Sequence, residues 1–295
     1  EIAEHRVRLP GRDTVTAGQN IRPAGQDARH GEVVLARGER LTPQAVGLTA
    51  SVGIATVKVY SPRVLILTSG DEIQSPEESP LPGKIFDSNG PLLTQLLQQS
   101  GFVNVHREHL PDDPAIIRET LNDLLTDSAQ RPDVIISTGG VSVGEEDHLR
   151  AVLAEQGELD FWRLAIKPGK PFTYGNLGGI PFFGLPGNPS AVLVCYLMLV
   201  LPMLRRCCGA DAVLPTAMSL PADFTINKPA KRQEYLRVRC VVDAAQAVLQ
   251  KHPNQSSGML SSAVWADGLA VVPVGCTVAP GDALAFFSFS DLLSG

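Results

Sequence analysis

Aromatic residues are scarce, 5% of 295 positions, and there is no excess of positive charge: the formal net charge is −6. That balance argues against a general nucleic-acid binder, whose affinity rests on basic surface and counterion release. It leaves room for a local basic pocket holding a small phosphorylated molecule. Cysteine is sparse and unpaired in pattern: Cys195, Cys207, Cys208, Cys240 and Cys276 make an odd number with no CxxC spacing. A disulfide framework is thereby excluded, and a reduced, cytoplasmic setting is expected. The most apolar stretch, Ala191 to Leu204, is shorter than the roughly 20 residues of a membrane span and contains Pro202. It reads as a buried core helix, so no membrane partner is expected. Residues Glu1 to Gly11 lack the apolar core of a signal peptide. Neither an internal repeat nor a low-complexity segment is present.

What is present is globular: 44% apolar and 19% charged residues, in a chain longer than one typical domain. Residues 1–60 read as a partial β-rich domain with one helix. Glycines at 18, 25, 31 and 38 space short segments such as Glu32-Val-Val-Leu-Ala36. Thr42-Pro43 supplies an N-cap and first-turn proline for a helix that Gly53 stops. From 61 to 210 strands alternate with helices. Val64–Leu67, Asp133–Ser137, Phe161–Ile166 and Phe182–Leu185 are strands; helices run from Ser88 to about Ser100, from Asp113, from about Glu146 to Glu155, and after Pro189. Such alternation predicts an α/β domain with a central doubly wound, mostly parallel sheet. From 211 to 295 helical periodicity stops. Tyr235–Val242, Leu269–Val274 and Ala283–Phe289 predict a small C-terminal β-domain, barrel-like or a sandwich.

In a doubly wound sheet, ligands bind beyond the carboxyl ends of the strands, near helix N-termini. Four loops should therefore converge: Thr68-Ser-Gly-Asp-Glu72, Ser137-Thr-Gly-Gly-Val-Ser-Val-Gly144 with Asp147, Lys167-Pro-Gly-Lys-Pro171, and Pro186-Gly-Asn-Pro189. The second bares backbone N–H groups and adds the Ser137 and Ser142 hydroxyls, which suits phosphate; a purely structural turn is the alternative. Lys167 and Lys170 project two ammonium groups from a proline-stiffened loop, with Arg163 close in sequence, which suits anionic oxygens; a solvated basic edge is the alternative. Asp71, Glu72 and Asp147 put carboxylates beside those cations. They would repel a phosphate unless a divalent ion intervened, and magnesium held by one or two carboxylates plus substrate phosphates resolves the conflict. Glu145 and Glu146 are better read as helix N-terminal residues. The Pro186–Pro189 turn is either a structural corner or a ligand contact.

These motifs, in this order, together with Asp87-Ser-Asn89, Gly184-Leu-Pro-Gly-Asn-Pro189 and the upstream Gln19-Asn-Ile-Arg22 and Gly25-Gln-Asp27, resemble the molybdopterin molybdenumtransferase family. That family includes bacterial MoeA and the C-terminal domain of gephyrin. The resemblance implies an enzyme that takes adenylylated molybdopterin and molybdate, with Mg2+, and releases AMP and molybdenum cofactor. It further implies a homodimer and, as a partner, the upstream adenylyltransferase. By motif match, Glu72, Asp112, Asp147 and Lys167 are the candidate catalytic residues, with Glu72 and Asp147 as metal ligands. Thr68, Gly70, Asp71, Ser137, Gly139, Gly140, Ser142, Gly144, Arg163, Lys170, Pro186, Asn188 and Arg237 are the candidate substrate contacts. Asp27 is a weaker match, and Arg163 stands where the family often has lysine. The family's Met-Asp-Gly-Tyr-Ala stretch, which precedes Gln19 and contributes to the dimer and active site, is missing from this sequence.

Three other readings compete. Gly140-Val-Ser-Val-Gly144 satisfies the nucleophile pattern of an α/β-hydrolase, with His252 as the available histidine; His148 lies too close and the strand ends too early for the required elbow. A molybdopterin adenylyltransferase shares the central sheet but resembles only that part of the chain. A non-catalytic scaffold of the same fold is the third.

Overall fold

The computed structural model describes residues 2–3, 6–7, 16–127, 130–139, 148–243 and 246–294. The chain forms two compact units, Glu1–Lys58 and Val59–Gly295. In the first, β1 (Ile2–Ala3) and β2 (Arg6–Val7) pair antiparallel. Helix α1 (Pro43–Ser51) starts as expected, with Thr42 Oγ1 accepting the Ala45 N–H at 3.2 Å. Glu32–Ala36, a short segment between glycines in the part read as β-rich, forms no strand. Gly31 and Gly38 bracket it with φ of 82° and 90°, so the chain turns at both ends before the segment can reach a ladder partner. Among its described residues this unit has one helix, the short β1–β2 pair and turns.

The second unit begins with β3 (Val64–Ser69), the short β4 (Ile73–Gln74) and β5 (Ile85–Phe86), then α2 (Asn89–Gln99). Next come β6 (Val105–Leu110), α3 (Pro114–Thr126), β7 (Val134–Thr138), α4 (His148–Gln156) and β8 (Gly157–Arg163). They are followed by β9 (Ile166–Lys167), β10 (Pro171–Leu177), β11 (Ile180–Leu185) and α5 (Pro189–Cys207). The central sheet has the order β6-β3-β7-β11-β10-β8. Parallel ladders join its first four strands, and β10 alone runs against the rest. Alternate side chains feed two cores. Val64, Ile66, Val134, Ile136 and Phe183 meet Leu93 and Leu97 of α2 and Val192 and Tyr196 of α5. Leu65, Leu67, Ile135 and Phe182 meet Ile117 and Leu121 of α3 and Leu149 and Leu153 of α4. Each fully buried aliphatic or aromatic side chain contributes about 1.5–3 kcal/mol. Layers of helices on both faces force the strand ends, not the sheet faces, to carry the site.

Helix α5 runs longer than the apolar stretch suggested. Its 19 residues are, by length and composition alone, enough to cross a membrane, yet Val192, Val194, Val200 and Leu201 are fully buried in the protein core. Pro202 is accommodated because a π turn at Tyr196–Val200 precedes it, so its missing N–H falls where the α ladder is already broken.

The remaining strands are β12 (Met218–Pro221), β13 (Gln233–Asp243), β14 (Gln246–Lys251), β15 (Gly268–Val272) and β16 (Ala283–Ser288), with short helices α6 (Ser261–Trp265) and α7 (Phe289–Ser294). They form an antiparallel sheet in the order β12-β16-β15-β13-β14, and Ala222, just past β12, makes one bridge to Leu249 of β14. Strand β9 adds to β13 in parallel, Gln233 facing Ile166 and Glu234 facing Lys167. That pairing ties the lysine loop of the α/β layer to the C-terminal sheet.

Candidate active site

A cleft of about 860 Å³ opens at the carboxyl ends of β3, β7 and β11. Thr68 and Ser69 line it from β3, Thr138 and Gly139 from β7, and Pro186, Gly187 and Asn188 from the turn into α5. Lys167 to Pro171 form another wall, and Glu72, Ile73, Ile85, Asp87 and Asn89 a third. Loops of the C-terminal β-domain close the cleft with Arg232, Gln255, Ser256 and Ser257.

Backbone geometry explains several of these placements. Gly70 has φ 129°, and a Cβ there would lie 2.5 Å from Glu72 Oε2, so the missing side chain lets the Glu72 carboxylate fold back over the turn. Gly139 has φ 80°, and a Cβ there would stand 2.9 Å from the Ser69 carbonyl oxygen. The ends of β3 and β7 can thus approach closely only because residue 139 is glycine. Gly139→Ala is expected to lose about 1–3 kcal/mol of stability through left-handed strain and this contact, read as a lower urea midpoint at unchanged slope.

Asn89 ties three walls together: its Nδ2 donates to Thr138 Oγ1 at 2.9 Å and to the Gly187 carbonyl at 2.7 Å. Thr138 in turn donates to the Pro186 carbonyl at 3.2 Å. Asn188 Nδ2 reaches Ser257 Oγ at 3.0 Å, and the Ser190 N–H and hydroxyl hold Ser257 and Met259 carbonyls, each at 3.0 Å. The loop 255–257 is therefore docked on the start of α5. From behind, Arg237 fixes the same loop: it is 1% exposed, with Nε bonded to Ser262 Oγ and a terminal nitrogen to the Ser256 carbonyl. Burial depresses the guanidinium pKa.

The charges are mixed. Lys167 Nζ pairs with Glu234 at 2.7 Å, Arg232 donates to the Ile166 carbonyl at 3.1 Å, and Lys170 completes the cationic wall. Glu72 and Asp87 supply carboxylates. Cations, hydroxyls and backbone turns with two carboxylates suit an oxygen-rich anion bound beside a hard divalent cation.

Known proteins share this arrangement of sequence. A family model described as the MoeA N-terminal region (domain I and II) matches residues 1–53. A probable molybdopterin binding domain matches residues 65–206, and the MoeA C-terminal region (domain IV) matches residues 219–289. The chain belongs to the MoeA family. Molybdopterin molybdenumtransferase from Haemophilus influenzae is 36% identical over 244 residues, 80% of this chain and 59% of that protein. The Drosophila melanogaster molybdenum cofactor synthesis protein cinnamon is 34% identical, over 87% of this chain and 42% of its own. Two solved MoeA structures from Pyrococcus horikoshii align with TM-scores of 0.73 and 0.69 at 28% and 27% identity, covering 90% of this chain and 64% and 63% of theirs. The chain thus spans less than two thirds of the length of these relatives.

Of the residues that the family motifs single out, the cleft brings together Thr68, Glu72, Gly139, Lys167, Lys170, Pro186 and Asn188. Gly140, Ser142, Gly144 and Asp147 lie outside the described residues. Asp71 and Asp112 latch the loops after β3 and β6 by reciprocal bonds, the Asp112 N–H to Asp71 Oδ1 at 3.0 Å and the Asp71 N–H to Asp112 Oδ2 at 3.2 Å. Gly70 shapes the turn under Glu72. Ser137 is fully buried, opposite Leu67 on the α3–α4 side, and its Oγ has no hydrogen-bond partner. Arg163 is exposed at the end of β8 and Arg237 sits behind the 255–257 loop; neither lines the cleft. In the first unit Asp27 pairs with Arg22 at 2.6 Å. Sequence reasoning missed Arg232 and the 255–257 loop as cleft residues. The polar glycine loop Gln255-Ser-Ser-Gly258 was a visible signal, but only the fold brings it to α5.

Proposed function

We propose that this chain carries the site that inserts molybdenum from molybdate into adenylylated molybdopterin, releasing AMP and molybdenum cofactor. The observation that carries this reading is the convergence, at the carboxyl ends of β3, β7 and β11, of Lys167, Lys170 and Arg232 with Glu72 and Asp87. The substrate brings a diphosphate link, and molybdate is a second oxyanion. Both call for fixed cations and N–H or O–H donors around a common centre.

In this mechanism Lys167, held by Glu234, and Lys170 bind oxyanion oxygens, while Thr68 and Ser256 add hydroxyls. The Asn89–Thr138–Gly187 network fixes the turn against which the ligand rests. The apolar wall of Ile73 and Ile85 suits a flat ring rather than a phosphate. Lys167 and Lys170 also stabilise the charge that builds on the leaving AMP phosphate. Magnesium fits the donor set, because a hard cation is commonly held by one or two carboxylates and substrate phosphates. Glu72 would hold it with Asp147, and the bound ion would neutralise charge on the cleaved link. The resemblance that implies magnesium also implies a cytoplasmic homodimer that receives its pterin from an adenylyltransferase; sedimentation of the purified chain tests the dimer. A molybdopterin adenylyltransferase, which resembles only the central domain, fits less well because Arg232 and residues 255–257 of the C-terminal β-domain line this cleft.

The test is molybdate-dependent AMP release from adenylylated molybdopterin with magnesium present, comparing the chain with Glu72→Gln. Loss of one metal-ligating carboxylate is expected to lower the rate about 10²-fold or more, in keeping with typical losses for a charge-stabilising group. Release that ignores molybdate, or that Glu72→Gln leaves intact, overturns the reading.

A further inference from the structure

Thr68 Oγ1 lies 3.2 Å from His109 Nδ1, across the β3–β6 pair where the two residues stand opposite in register. Thr68 lines the cleft, and His109 is exposed near the end of the edge strand. A threonine hydroxyl has one proton to give. If the neutral ring carries its proton on Nε2, Nδ1 accepts, and Thr68 spends that proton on the ring. Its lone pairs then face the cleft, the wrong polarity for an oxyanion. If the ring is protonated, Nδ1–H donates to Thr68 Oγ1 and the threonine proton is released toward the cleft.

We infer that His109 is a positioning residue that turns the Thr68 hydroxyl into a donor toward a bound phosphate or molybdate oxygen, so that oxyanion binding takes up a proton on this imidazole. The inference rests on the oxyanion reading of the cleft. A neutral ring matches the same polarity only by moving its proton from Nε2 to Nδ1, and that route carries no pH dependence.

The titratable and charged groups on the elements around His109 are His106, Arg107 and Glu108 on its own strand, Asp87 before α2, Arg118, Glu119 and Asp123 on α3, and Asp71, Glu72 and Asp112 on the strand-end loops. Burial raises the Glu108 carboxyl above its ordinary value. His252 is another imidazole, next to the cleft loop 255–257: its Nδ1 contacts the Asn254 backbone, and its carbonyl accepts from the Gln255 side-chain amide.

The experiment titrates AMP and, separately, molybdate into the full chain from pH 8 to pH 6. Wild type is compared with His109→Gln, Thr68→Val and His252→Asn. Ligand ionisation is common to all four proteins and cancels in the ratios; the two probes separate a phosphate from a molybdate contact. For at least one probe, wild type and His252→Asn are expected to gain about tenfold more affinity on acidification than His109→Gln or Thr68→Val, the size of one charge-assisted hydrogen bond. Parallel curves for wild type and His109→Gln overturn the inference while leaving the oxyanion site standing. Failure of both probes to bind at any pH overturns the site reading and this inference with it. Should a variant fail to fold, calorimetry of molybdate binding to wild type in two buffers of different ionisation heat still decides. Proton uptake near pH 7 supports the inference, and none sinks it.

Discussion

Arg237→Ala is expected to cost about 3–5 kcal/mol of stability, near the top of the range for single substitutions. The guanidinium is 1% exposed, so alanine leaves a cavity the size of most of a side chain. The loss also strands the Ser256 carbonyl and Ser262 Oγ, which now accept from it at 3.0 and 3.1 Å. Among the described residues no carboxylate pairs with this arginine, so removing it frees no buried anion; the cost is packing and hydrogen bonding. The Arg237 backbone exchanges bonds with the Gln255 side chain, at 2.9 Å in both directions, and survives the substitution. The 255–257 loop is therefore expected to loosen rather than detach, and AMP release to fall less than stability suggests. Arg237→Lys keeps the charge without the fork that spans Ser262 and Ser256, and should recover only part of the loss. Urea unfolding of both variants checks this. A fully stable Arg237→Ala that no longer binds AMP or molybdate would instead make Arg237 a direct ligand contact.

Arg237 also shows where sequence stops being legible. The motif that contains it points to function, and the alternation of strands and helices places the ends of β3, β7 and β11, whereas the strand read at Phe161–Ile166 ends at Arg163 and the lysine loop follows the separate β9. Val64–Leu67 and Phe182–Leu185 are apolar runs buried on both faces, and only a doubly wound sheet buries both. Strands β6 and β10 leave no such trace. Val105-His-Arg-Glu-His-Leu110 is a polar edge strand, and Pro171–Leu177 is held by ladders to strands on either side rather than by its own pattern. The Glu32–Ala36 segment had a strand's composition but lacked a partner, and pairing is what a strand needs. At the site, residues named from strand-end loops line the cleft wherever the loop itself turns inward, as Glu72, Gly139 and Lys167 do. Ser137, one residue before the strand end, faces the other core because side chains alternate along a strand. Neither Arg232 nor Ser256 could be found locally: β9 pairing with β13 carries Arg232 there, and the bonds of Asn188 and Ser190 dock the loop of Ser256 on α5.

That pairing makes Lys167 the site of the second large effect. Lys167→Ala is expected to lower AMP release about 10²–10³-fold, as for loss of a fixed charge aimed at a developing oxyanion. Stability should change little: the Lys167 side chain is 51% exposed, and ion pairs of that kind contribute about 1 kcal/mol or less. Glu234, 11% exposed, is the partner left behind, and its uncompensated carboxylate would itself repel substrate. Comparing Lys167→Ala with Lys167→Ala/Glu234→Gln separates the two effects. If Lys167 serves only to neutralise Glu234, the double variant recovers the rate; if it binds the oxyanion, the double variant stays slow although no Glu234 carboxylate is left to repel substrate. Glu234→Gln alone frees the ammonium from its partner and should tighten molybdate binding while loosening the lysine's aim. A gain in affinity with a fall in turnover is the result that this geometry requires.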